Sequence, residues 1–312
     1  MSADTFYENG NRVPASLHHP VDDIEPDESP ALRVPDLLTL VEKVASTFLR
    51  GDPNINRAAW RFVLGAESDS MREYARRIGK NPAHTAPQLL GRNAYGLAEL
   101  HRAAIRQAKI VGNPGCFAVS CILGLAPAMK AGLVEPFSVI CDCKTGVSGA
   151  GKKVSPTFHY PARYEQMNAY KLAGHQHVCE VERELSLQAG REVRVTFTAQ
   201  VVPVCRGILS TLYGTLVRPT TEAEVLALYR DFFRESPFVR VLDSQAAVGT
   251  LHVRGTNFCN LVVSVDSRTN RLRIVSHIDN LMKGQAGSAL QNMNLMCGFP
   301  ETLGLLRPGI YP

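Results

Sequence analysis

Apolar positions recur at helical spacing in several stretches of the chain. Residues 36–49 place Leu37, Leu40, Val41, Val44 and Phe48 on one helical face. Further helices are predicted over residues 69–78, 97–107, 221–235 and 286–298. The run FAVSCILGLAPAMKAGL, residues 117–133, is apolar on all sides and predicts a buried helix. We expect the polar, proline-containing residues 1–30 to form an irregular or extended arm.

Runs rich in β-branched and aromatic residues predict strands, most of them in the second half of the chain. They cover residues 59–66, 108–112, 137–143, 193–204, 207–217, 238–242, 256–266 and 271–279. One helix interrupts the later strands, and the capping-box pattern Thr221-x-x-Glu224 marks its start. Helix alternating with strand, followed by a mostly antiparallel sheet, predicts an α/β part joined to an α+β part.

Composition narrows the class of protein. The chain has 312 residues, of which 45% are hydrophobic and 20% charged, as in soluble globular proteins with room for two domains. A net charge of +5 is too mild to indicate a nucleic-acid partner, but it would attract an anionic metabolite. No apolar signal core opens the chain, and its longest apolar stretch is too short to span a bilayer. Eight scattered cysteines predict reduced thiols and a cytoplasmic protein.

The glycine-rich stretch TGVSGAGKK, residues 145–153, nearly matches a phosphate loop. Gly146, Gly151 and Lys152 fit the pattern, but Lys153 stands where a Ser or Thr hydroxyl would bind magnesium. Two prolines follow within ten residues, and proline breaks the helix that a phosphate loop needs. The pattern therefore disfavours a nucleotide triphosphatase, and the loop needs another explanation.

The turn NPGC, residues 113–116, would set Cys116 in the first turn of the buried helix. Unpaired N–H groups and the helix dipole favour a thiolate there, which lowers the thiol pKa and makes Cys116 a candidate nucleophile. The alternative is a small buried residue in a turn, since cysteine is among the most buried residue types. That second interpretation suits Cys121, five residues later in the same helix.

The segment GHQHVCE places His175 and His177 two residues apart, on one face if the segment is extended. Cys179 would complete a conceivable metal triad, but the ligand spacings of structural zinc sites are absent, and we expect no metal. A histidine acting as acid and base beside a cysteine is the favoured interpretation. A hydrogen-bonded structural role stays open for at least one of the two.

Two further places could bind a ligand. Arg206 and Gly207 interrupt an apolar strand, and the guanidinium could clamp a carboxylate or phosphate or pair with a surface acid. In KGQAGSALQNMNLM, a helix opened by small residues carries Gln291, Asn292 and Asn294. These amides suit either ligand contacts or capping and packing.

Five motifs, in this order, resemble one known family. NPGC, GVSGAGK, YKLAGHQHVCEVEREL, VVPVCRGILSTLY and KGQAGSALQNMNLMCGFPETLGL are similar to the N-acetyl-γ-glutamyl-phosphate reductases of arginine biosynthesis, in the semialdehyde dehydrogenase superfamily. The resemblance runs from about Asn93 to the C-terminus. It implies a Rossmann-like domain joined to a semialdehyde-dehydrogenase-type catalytic domain with a largely antiparallel mixed sheet. We assign residues 1–115 to a truncated Rossmann-like domain, 116–285 to a catalytic and dimerisation domain, and 286–312 to a C-terminal helix returning to the first domain.

The resemblance also implies a mechanism and a cofactor. Cys116 would accept the acyl group of an acyl phosphate such as N-acetylglutamyl phosphate, and NADPH would deliver hydride to the thioester. His175 would act as acid and base, with His177 close by. The protein would be a homo-oligomer.

Ligand contacts follow from the same resemblance. Arg206 would clamp the substrate anion, with Asn113 and Lys171 as further substrate-binding residues. The residues that would lie near the cofactor are Ser148, Gly149, Ala150 and Gly151 of the glycine loop, together with Gln291 and Asn292 at the nicotinamide.

The chain departs from the family in its first third. No two glycines in residues 1–112 can form the G-x-x-G-x-x-G turn that holds a dinucleotide pyrophosphate, so the first half of the cofactor domain is expected to be missing or replaced. Cys179 replaces a proline, and Phe117-Ala118 follows the nucleophile in place of Tyr-Pro. The leading hypothesis is an acyl-phosphate reductase that holds NADPH in an unusual way or through a partner chain. The alternatives are a cofactor-free acyltransferase or thioesterase and, third, a non-catalytic partner of a complete reductase.

Overall fold

The computed structural model describes residues 93–151, 154–246 and 248–310, together with two short strands near the N-terminus. These strands, β1 (Tyr7–Glu8) and β2 (Asn11–Arg12), pair antiparallel. The chain divides into two compact units, residues 1–52 and 53–312. The helices predicted over residues 36–49 and 69–78 and the strand over 59–66 lie outside the described residues.

A short βαβ connection opens the described part of the second unit. Strand β3 (Ala94–Tyr95) leads into helix α1 (Ala98–Gln107), and strand β4 (Val111–Gly112) pairs parallel with β3. A helix is the usual way to join neighbouring parallel strands. The predicted helix over residues 97–107 is therefore confirmed.

Helix α2 (Cys116–Lys130) is the centre of the core. Every residue from Phe117 to Met129 is buried, as its apolar sequence predicts. The helix packs closely on the sheet, because a Cβ at Gly124 would lie 2.3 Å from Leu212 Cδ1. The buried Ser120 hydroxyl is hydrogen-bonded to two serine hydroxyls on the sheet, Ser210 at 2.9 Å and Ser276 at 3.0 Å, donating to one and accepting from the other. The polar group of this helix face is therefore satisfied.

A seven-stranded mixed sheet receives this helix. Its strands are β5 (Val139–Thr145), β6 (Asn168–Tyr170), β7 (Val195–Val201), β8 (Ile208–Thr215), β9 (Val239–Leu242), β10 (Cys259–Asp266) and β11 (Arg271–Ile278). Their order is β6-β7-β5-β8-β11-β10-β9. The β5–β7 and β9–β10 pairs are parallel and the other pairs antiparallel. The predicted α/β plus α+β class, with a largely antiparallel mixed sheet, is confirmed.

Helices cover one face of the sheet. Helix α2 lies there with helices α4 (His177–Ala189) and α5 (Glu222–Phe232), and strand β8 alternates buried residues with half-buried ones. Ile140 on β5 is 37% exposed on the opposite face. That opposite face is less completely covered by the described residues. None of the helices in the described ranges is long and apolar enough to cross a bilayer.

The remaining helical segments follow in chain order. They are a 3₁₀ turn (Val147–Ala150), a second 3₁₀ turn (Pro156–Phe158), α3 (Tyr160–Arg163), α4 (His177–Ala189), α5 (Glu222–Phe232), a third 3₁₀ turn (Thr250–Val253), a π-helical turn (Met282–Ala286) and α6 (Gly287–Met296). The capping box of α5 is confirmed, because Thr221 Oγ1 accepts the Glu224 N–H at 3.2 Å while the Glu224 carboxylate accepts the Thr221 N–H at 2.7 Å.

The expectation that one helix interrupts the later strands is wrong. Helix α4 also stands among them, with Val178, Val181 and Leu185 at helical spacing and Gly190 in the left-handed conformation that ends many helices. The apolar spacing that indicates this helix is present in the sequence. The π-helical turn before α6 was also not predicted. Helix α6 packs against α1 through Leu295, Ala98 and Ile105.

Candidate active site

Cys116 is the first residue of α2 and is partly exposed. The turn before it is held by a carboxylate from α4, since Glu180 Oε2 accepts the Gly115 N–H at 3.1 Å and the Tyr95 hydroxyl at 3.0 Å. Glu180 is fully buried, so these bonds form away from solvent. The thiol thus lies at a helix N-terminus, where the first N–H groups have no partner within the helix. The predicted position of Cys116 on its element agrees with the structure.

The two histidines lie beside this turn. A Cβ at Gly115 would lie 2.1 Å from His177 Nε2, so the imidazole occupies the space that a side chain there would need. The His175 and His177 rings are 4.7 Å apart, centre to centre. The segment is not extended, because His177 begins helix α4, so the condition for placing both rings on one face of a strand is not met. The two rings are brought into contact by the turn that begins helix α4, not by the alternation of side chains along a strand.

Backbone geometry determines which nitrogen of His175 carries the proton. The His177 N–H donates to His175 Nδ1 at 3.2 Å, so Nδ1 must present a lone pair and the neutral ring carries its proton on Nε2. Burial, and then the charge of Lys171, lowers the pKa of His175 to about 4. Burial, then His175 and Lys171, lowers the pKa of His177 to about 3. Both rings are therefore neutral near pH 7.

Aromatic side chains enclose His175. Phe117, Tyr170 and Phe197 lie with ring centres 5.2–5.7 Å from its own. Burial raises the pKa of Tyr170, and the neighbouring Cys116 thiol raises it further. Tyr170 thus contacts the imidazole directly and lies near enough to Cys116 for the thiol to influence its pKa.

Arg206 forms an ion pair with a buried acid. Its Nη2 lies 2.7 Å from Asp279 Oδ2, and its Nε donates to Oδ1 at 3.3 Å. Asp279 is fully buried, whereas the Arg206 side chain is 25% exposed. The alternative interpretation, a salt bridge to a surface acid, is thus only partly right: Arg206 forms a salt bridge, but its acidic partner lies in the interior. The next residue is held too, because the Gly207 N–H donates to Asn280 Oδ1 at 2.7 Å.

The residues after β11 connect Arg206 to the thiol. The Gly284 N–H donates to the Asp279 carbonyl at 2.9 Å. A Cβ at Gly284 would lie 2.8 Å from Cys116 Cβ, so the π-helical turn packs directly against the cysteine. Residues 279–284, which we call the Asp279 turn, therefore contact both the arginine and the candidate nucleophile. π-Helical turns occur frequently at functional sites.

The glycine loop lies against the segment that carries Arg206. The Val147 and Ser148 N–H groups donate to the carbonyls of Val204 and Cys205, at 2.9 and 3.0 Å. A Cβ at Gly146 would lie 2.6 Å from the Cys205 carbonyl oxygen, which explains the glycine there. Asn280 Nδ2 also donates to the Ser148 hydroxyl at 3.0 Å. A short 3₁₀ turn follows the loop, where a phosphate loop would have a long helix.

The Gln291 amide is used within the protein. Its oxygen accepts from Lys283 at 2.8 Å and from Asn257 at 3.0 Å. Its nitrogen donates to Glu99 at 3.1 Å and to Glu301 at 2.7 Å. Burial of Glu99 favours its neutral form, but the charge of Lys283 and the hydrogen bonds from Lys283 and Gln291 together outweigh it, so the pKa of Glu99 is lowered. The prediction that Gln291 faces a nicotinamide remains a prediction.

Asn292 and Asn113 form a pair near β3. Asn292 Nδ2 donates to the Gly96 carbonyl at 2.8 Å and to Asn113 Oδ1 at 3.1 Å, while Asn113 Nδ2 donates to the Gln285 carbonyl at 3.0 Å. Asn292 Oδ1 is buried and makes no hydrogen bond within the described part of the chain. An unused buried acceptor is costly, and a ligand amide would satisfy it.

Lys171 and Cys179 lie at the edge of this arrangement. Lys171 Nζ donates to Gln176 Oε1 at 2.6 Å, and the Cys179 thiol donates to the Gln176 carbonyl at 3.1 Å. Among the residues that the structure describes, no group of three His, Cys, Asp or Glu side chains is placed to hold a metal ion.

Residues 116–280 match the family model described as the semialdehyde dehydrogenase dimerisation domain. The matched region is more than half of the chain. The chain belongs to the semialdehyde dehydrogenase family. The match begins at Cys116 and ends at Asn280, so it includes the thiol, both histidines, Arg206 and the first residues of the Asp279 turn.

Curated relatives of this family member are named N-acetyl-gamma-glutamyl-phosphate reductase. This chain is 49% identical to the protein of Moorella thermoacetica over 229 residues. The aligned region covers 73% of this chain and 66% of the relative. This chain is 50% identical to the protein of Geobacter sulfurreducens over 223 residues, which are 71% of this chain and 64% of the relative. The chain thus spans slightly less than two thirds of the length of these relatives.

Solved structures of aspartate semialdehyde dehydrogenases share the fold. The Vibrio cholerae enzyme II superposes with a TM-score of 0.52 at 18% identity, over 66% of this chain and 69% of that one. The Francisella tularensis enzyme superposes with a TM-score of 0.53 at 15% identity, over 74% of this chain and 79% of that one. At these identities the likeness establishes the fold alone.

Sequence reasoning missed three groups that hold the site together. Glu180, Asp279 and Asn280 are buried and bind the backbone or side chains of the candidate residues. A signal for two of them was present, since Asp279 and Asn280 directly follow a buried strand, where polar residues often serve a site. Glu180 could be found only after α4 was assigned.

We predict that Cys116 is the thiol that reacts first among the eight. Helix α2 presents it at its N-terminus, whereas burial raises the pKa of Cys121, Cys143 and Cys259. Limiting iodoacetamide followed by mass mapping of peptides would measure this. Accessibility alone favours Cys205 and Cys297, which are exposed, so earlier labelling of either would contradict the prediction.

A matched pair of glycine variants tests the geometry of the same turn. Gly115→Ala should displace the His177 ring and slow labelling of Cys116, because the new methyl group would lie inside the imidazole. Gly249→Ala adds the same methyl where nothing lies within 4 Å, and should leave the labelling rate unchanged.

We also predict that His177 makes stability sensitive to acid. Its pKa is about 3 when folded, below the ordinary 6.5, so the unfolded chain binds more protons between these values. Above pH 6.5 His177 is neutral in both the folded and the unfolded chain and has no effect on stability. As the pH decreases from 6.5 toward 3, the unfolded chain takes up the proton first, so the free energy of unfolding falls. His177→Gln should make this fall less steep in urea titrations at several pH values. An equally steep fall in His177→Gln, with the exposed His159→Gln as control, would contradict it.

Proposed function

We propose that this chain carries out the acyl-phosphate chemistry named in its reductase relatives, acting on N-acetyl-γ-glutamyl phosphate or a close analogue. One observation carries the proposal: the Asp279 turn packs against Cys116, at a helix N-terminus, and anchors a partly exposed arginine. A nucleophile, a neutral histidine pair and an anion-binding group thus surround one small region. Together they suit an acyl substrate that carries negative charge.

The first step belongs to Cys116. Its sulfur attacks the acyl carbon, the bond from that carbon to the phosphate oxygen breaks, and phosphate leaves with the bonding electrons. The helix N-terminus supports the thiolate and the negative charge that develops on the acyl oxygen. The product of this step is a thioester on Cys116.

His175 is proposed to stabilise the substrate oxygen in this scheme. Its neutral ring carries the proton on Nε2, so this N–H can donate a hydrogen bond to the acyl oxygen, where negative charge develops. His177 supports the turn and keeps the neighbouring ring in place. A thiol of this kind stays reduced in a compartment such as the cytoplasm, where we expect the protein to work.

Arg206 is proposed to bind a carboxylate or phosphate of the substrate, because a guanidinium forms paired hydrogen bonds with such groups. Asn113 and Lys171 remain proposed substrate contacts. Lys171 adds positive charge near the histidines, as its effect on the pKa of His175 indicates.

NADPH, which the sequence resemblance implies, would supply hydride to the thioester. The fit is supported at the nicotinamide end, where the unused Asn292 Oδ1 could accept from a carboxamide. Residues Ser148–Gly151 would lie near the cofactor, and Gln291 would position Lys283 and Glu99 behind it. The sequence has no G-x-x-G-x-x-G turn for the pyrophosphate, so a weakly held cofactor or one shared with a partner chain is expected.

We also propose that the less covered face of the large sheet binds a second copy of the chain. The matched family model is a dimerisation domain, and this face carries the exposed Ile140 beside half-buried residues of β8. Aliphatic and aromatic side chains such as Ile140 and its cross-strand partner Tyr213, set among polar residues, are typical of interfaces between subunits.

An acyl-adduct assay tests the proposed chemistry. The purified protein, given the acyl phosphate, should form a thioester on Cys116 that hydroxylamine removes, because this step needs no cofactor. Mass spectrometry of the peptide and loss of NADPH absorbance would be followed together. Cys116→Ala should lose the adduct, whereas Cys297→Ala, which removes an exposed thiol elsewhere, should retain it.

The outcomes separate the candidate functions. An adduct with NADPH oxidation supports the reductase. An adduct without NADPH oxidation supports a cofactor-free acyltransferase or thioesterase. Neither an adduct nor NADPH oxidation would contradict both and support a non-catalytic partner.

A charge placed on the sheet face tests the proposed interface. Ile140→Lys should lower the molar mass measured by light scattering, because an unpaired charge opposes burial between subunits. Leu187→Lys makes the same change at an exposed site on α4, the helix side, and should leave the mass unchanged. Equal masses for both variants, or a monomeric parent protein, would contradict the interface.

A further inference from the structure

We propose that Asp279 is a positioning residue that holds the Arg206 guanidinium in one orientation for the substrate anion and joins it to the turn on which Cys116 packs. The inference rests on the proposed function, since it assigns a role within the same site. It adds a residue that touches neither the acyl group nor the thiol. Its effect is transmitted through Arg206 and through the backbone.

The contacts of Asp279 support this role. Besides two contacts with Arg206, its carboxylate accepts the N–H groups of Leu281 and Met282, at 2.8 and 3.1 Å, and that of Gly255 at 2.6 Å. The first two N–H groups lie at the start of the π-helical turn. One buried carboxylate therefore fixes both the arginine side chain and the backbone that leads to Gly284 and Cys116.

The ion pair leaves part of the guanidinium available. Nε and Nη2 are directed to Asp279, and within the described ranges Nη1 has no hydrogen-bond partner. With a quarter of its side chain exposed, Arg206 can present this edge to an anion without losing Asp279. A free arginine would have to lose side-chain entropy on binding, and the ion pair removes most of that cost.

The arrangement differs from a simple stabilising salt bridge. A buried ion pair contributes little net stability on its own, because desolvation of two charges offsets their attraction. Here three backbone N–H groups satisfy the carboxylate, so the negative charge remains stable while one side of its partner stays exposed. We infer that orientation of the arginine, rather than stability, is the main consequence.

Two alkylating reagents test the proposal. Iodoacetate and iodoacetamide attack the same thiol by the same reaction, but only iodoacetate carries a carboxylate. The ratio of their rates at Cys116 therefore reports anion guidance by Arg206. We expect Arg206→Lys and Asp279→Asn each to lower this ratio by about tenfold, roughly the effect of one hydrogen bond to a charged group.

The sign of the Asp279→Asn effect discriminates between explanations. Removing a negative charge near the thiol should by electrostatics alone speed the anionic reagent, whereas loss of arginine orientation should slow it. A purely structural effect would change both rates together and leave the ratio unchanged. Asp266→Asn removes an equal charge at the far end of the β10–β11 hairpin, and should keep the parent ratio.

Chemical rescue keeps the proposal testable if Asp279→Asn does not fold. Arg206→Ala leaves the buried carboxylate facing a partly exposed gap, which methylguanidinium should fill and methylammonium should not. Recovery of the iodoacetate ratio with methylguanidinium alone is the expected result. No recovery, or equal recovery with both cations, would overturn the positioning role.

The outcomes also separate this proposal from the proposed function. A lowered ratio in Arg206→Lys with an unchanged ratio in Asp279→Asn overturns the positioning role and leaves the arginine clamp standing. Unchanged ratios in both variants overturn the positioning role and remove Arg206 from the anion site as well. Failure of Cys116 to react with iodoacetamide would contradict the nucleophile itself.

Discussion

The arrangement of the described site depends on the burial of helix α2 from Phe117 to Met129. A helix without a polar face cannot lie on a surface, so it must be enclosed by the sheet on one side and by helices on the other. Gly124 allows the close approach to the sheet, and Ser120 satisfies its hydroxyl there. A helix held in this way cannot shift easily, and the residue at its N-terminus has a defined position.

Buried carboxylates then attach the surroundings to this helix. Glu180 binds the backbone just before Cys116, and Asp279 binds the backbone of the turn that packs on it. Both are fully buried: Asp279 accepts three backbone N–H groups, and Glu180 accepts the Gly115 N–H and the Tyr95 hydroxyl. Buried charges of this kind are tolerated only where their hydrogen bonds are made, so the same bonds that stabilise the charges also fix the loops. The positions of the histidines and of Arg206 depend on these two carboxylates.

Prediction from sequence succeeded where a pattern was local and strong. The buried helix after NPGC, the capping box at Thr221 and most strands of the second half follow from spacing and residue type alone. Helix α4 was not predicted, although its apolar spacing is present in the sequence. The π-helical turn had no comparable signal, since one extra residue per turn leaves little mark on an apolar pattern.

The sequence by itself determined that Cys116 would begin a buried helix, because an apolar run and a Pro-Gly turn are local properties. It also determined which residue types, His175, His177 and Arg206, could take part in chemistry. Only the tertiary structure decided that His177 occupies the space beside Gly115 and that Arg206 pairs with Asp279. These contacts join residues 62 and 73 positions apart, and such long-range pairings depend on how strands and helices pack rather than on any local pattern.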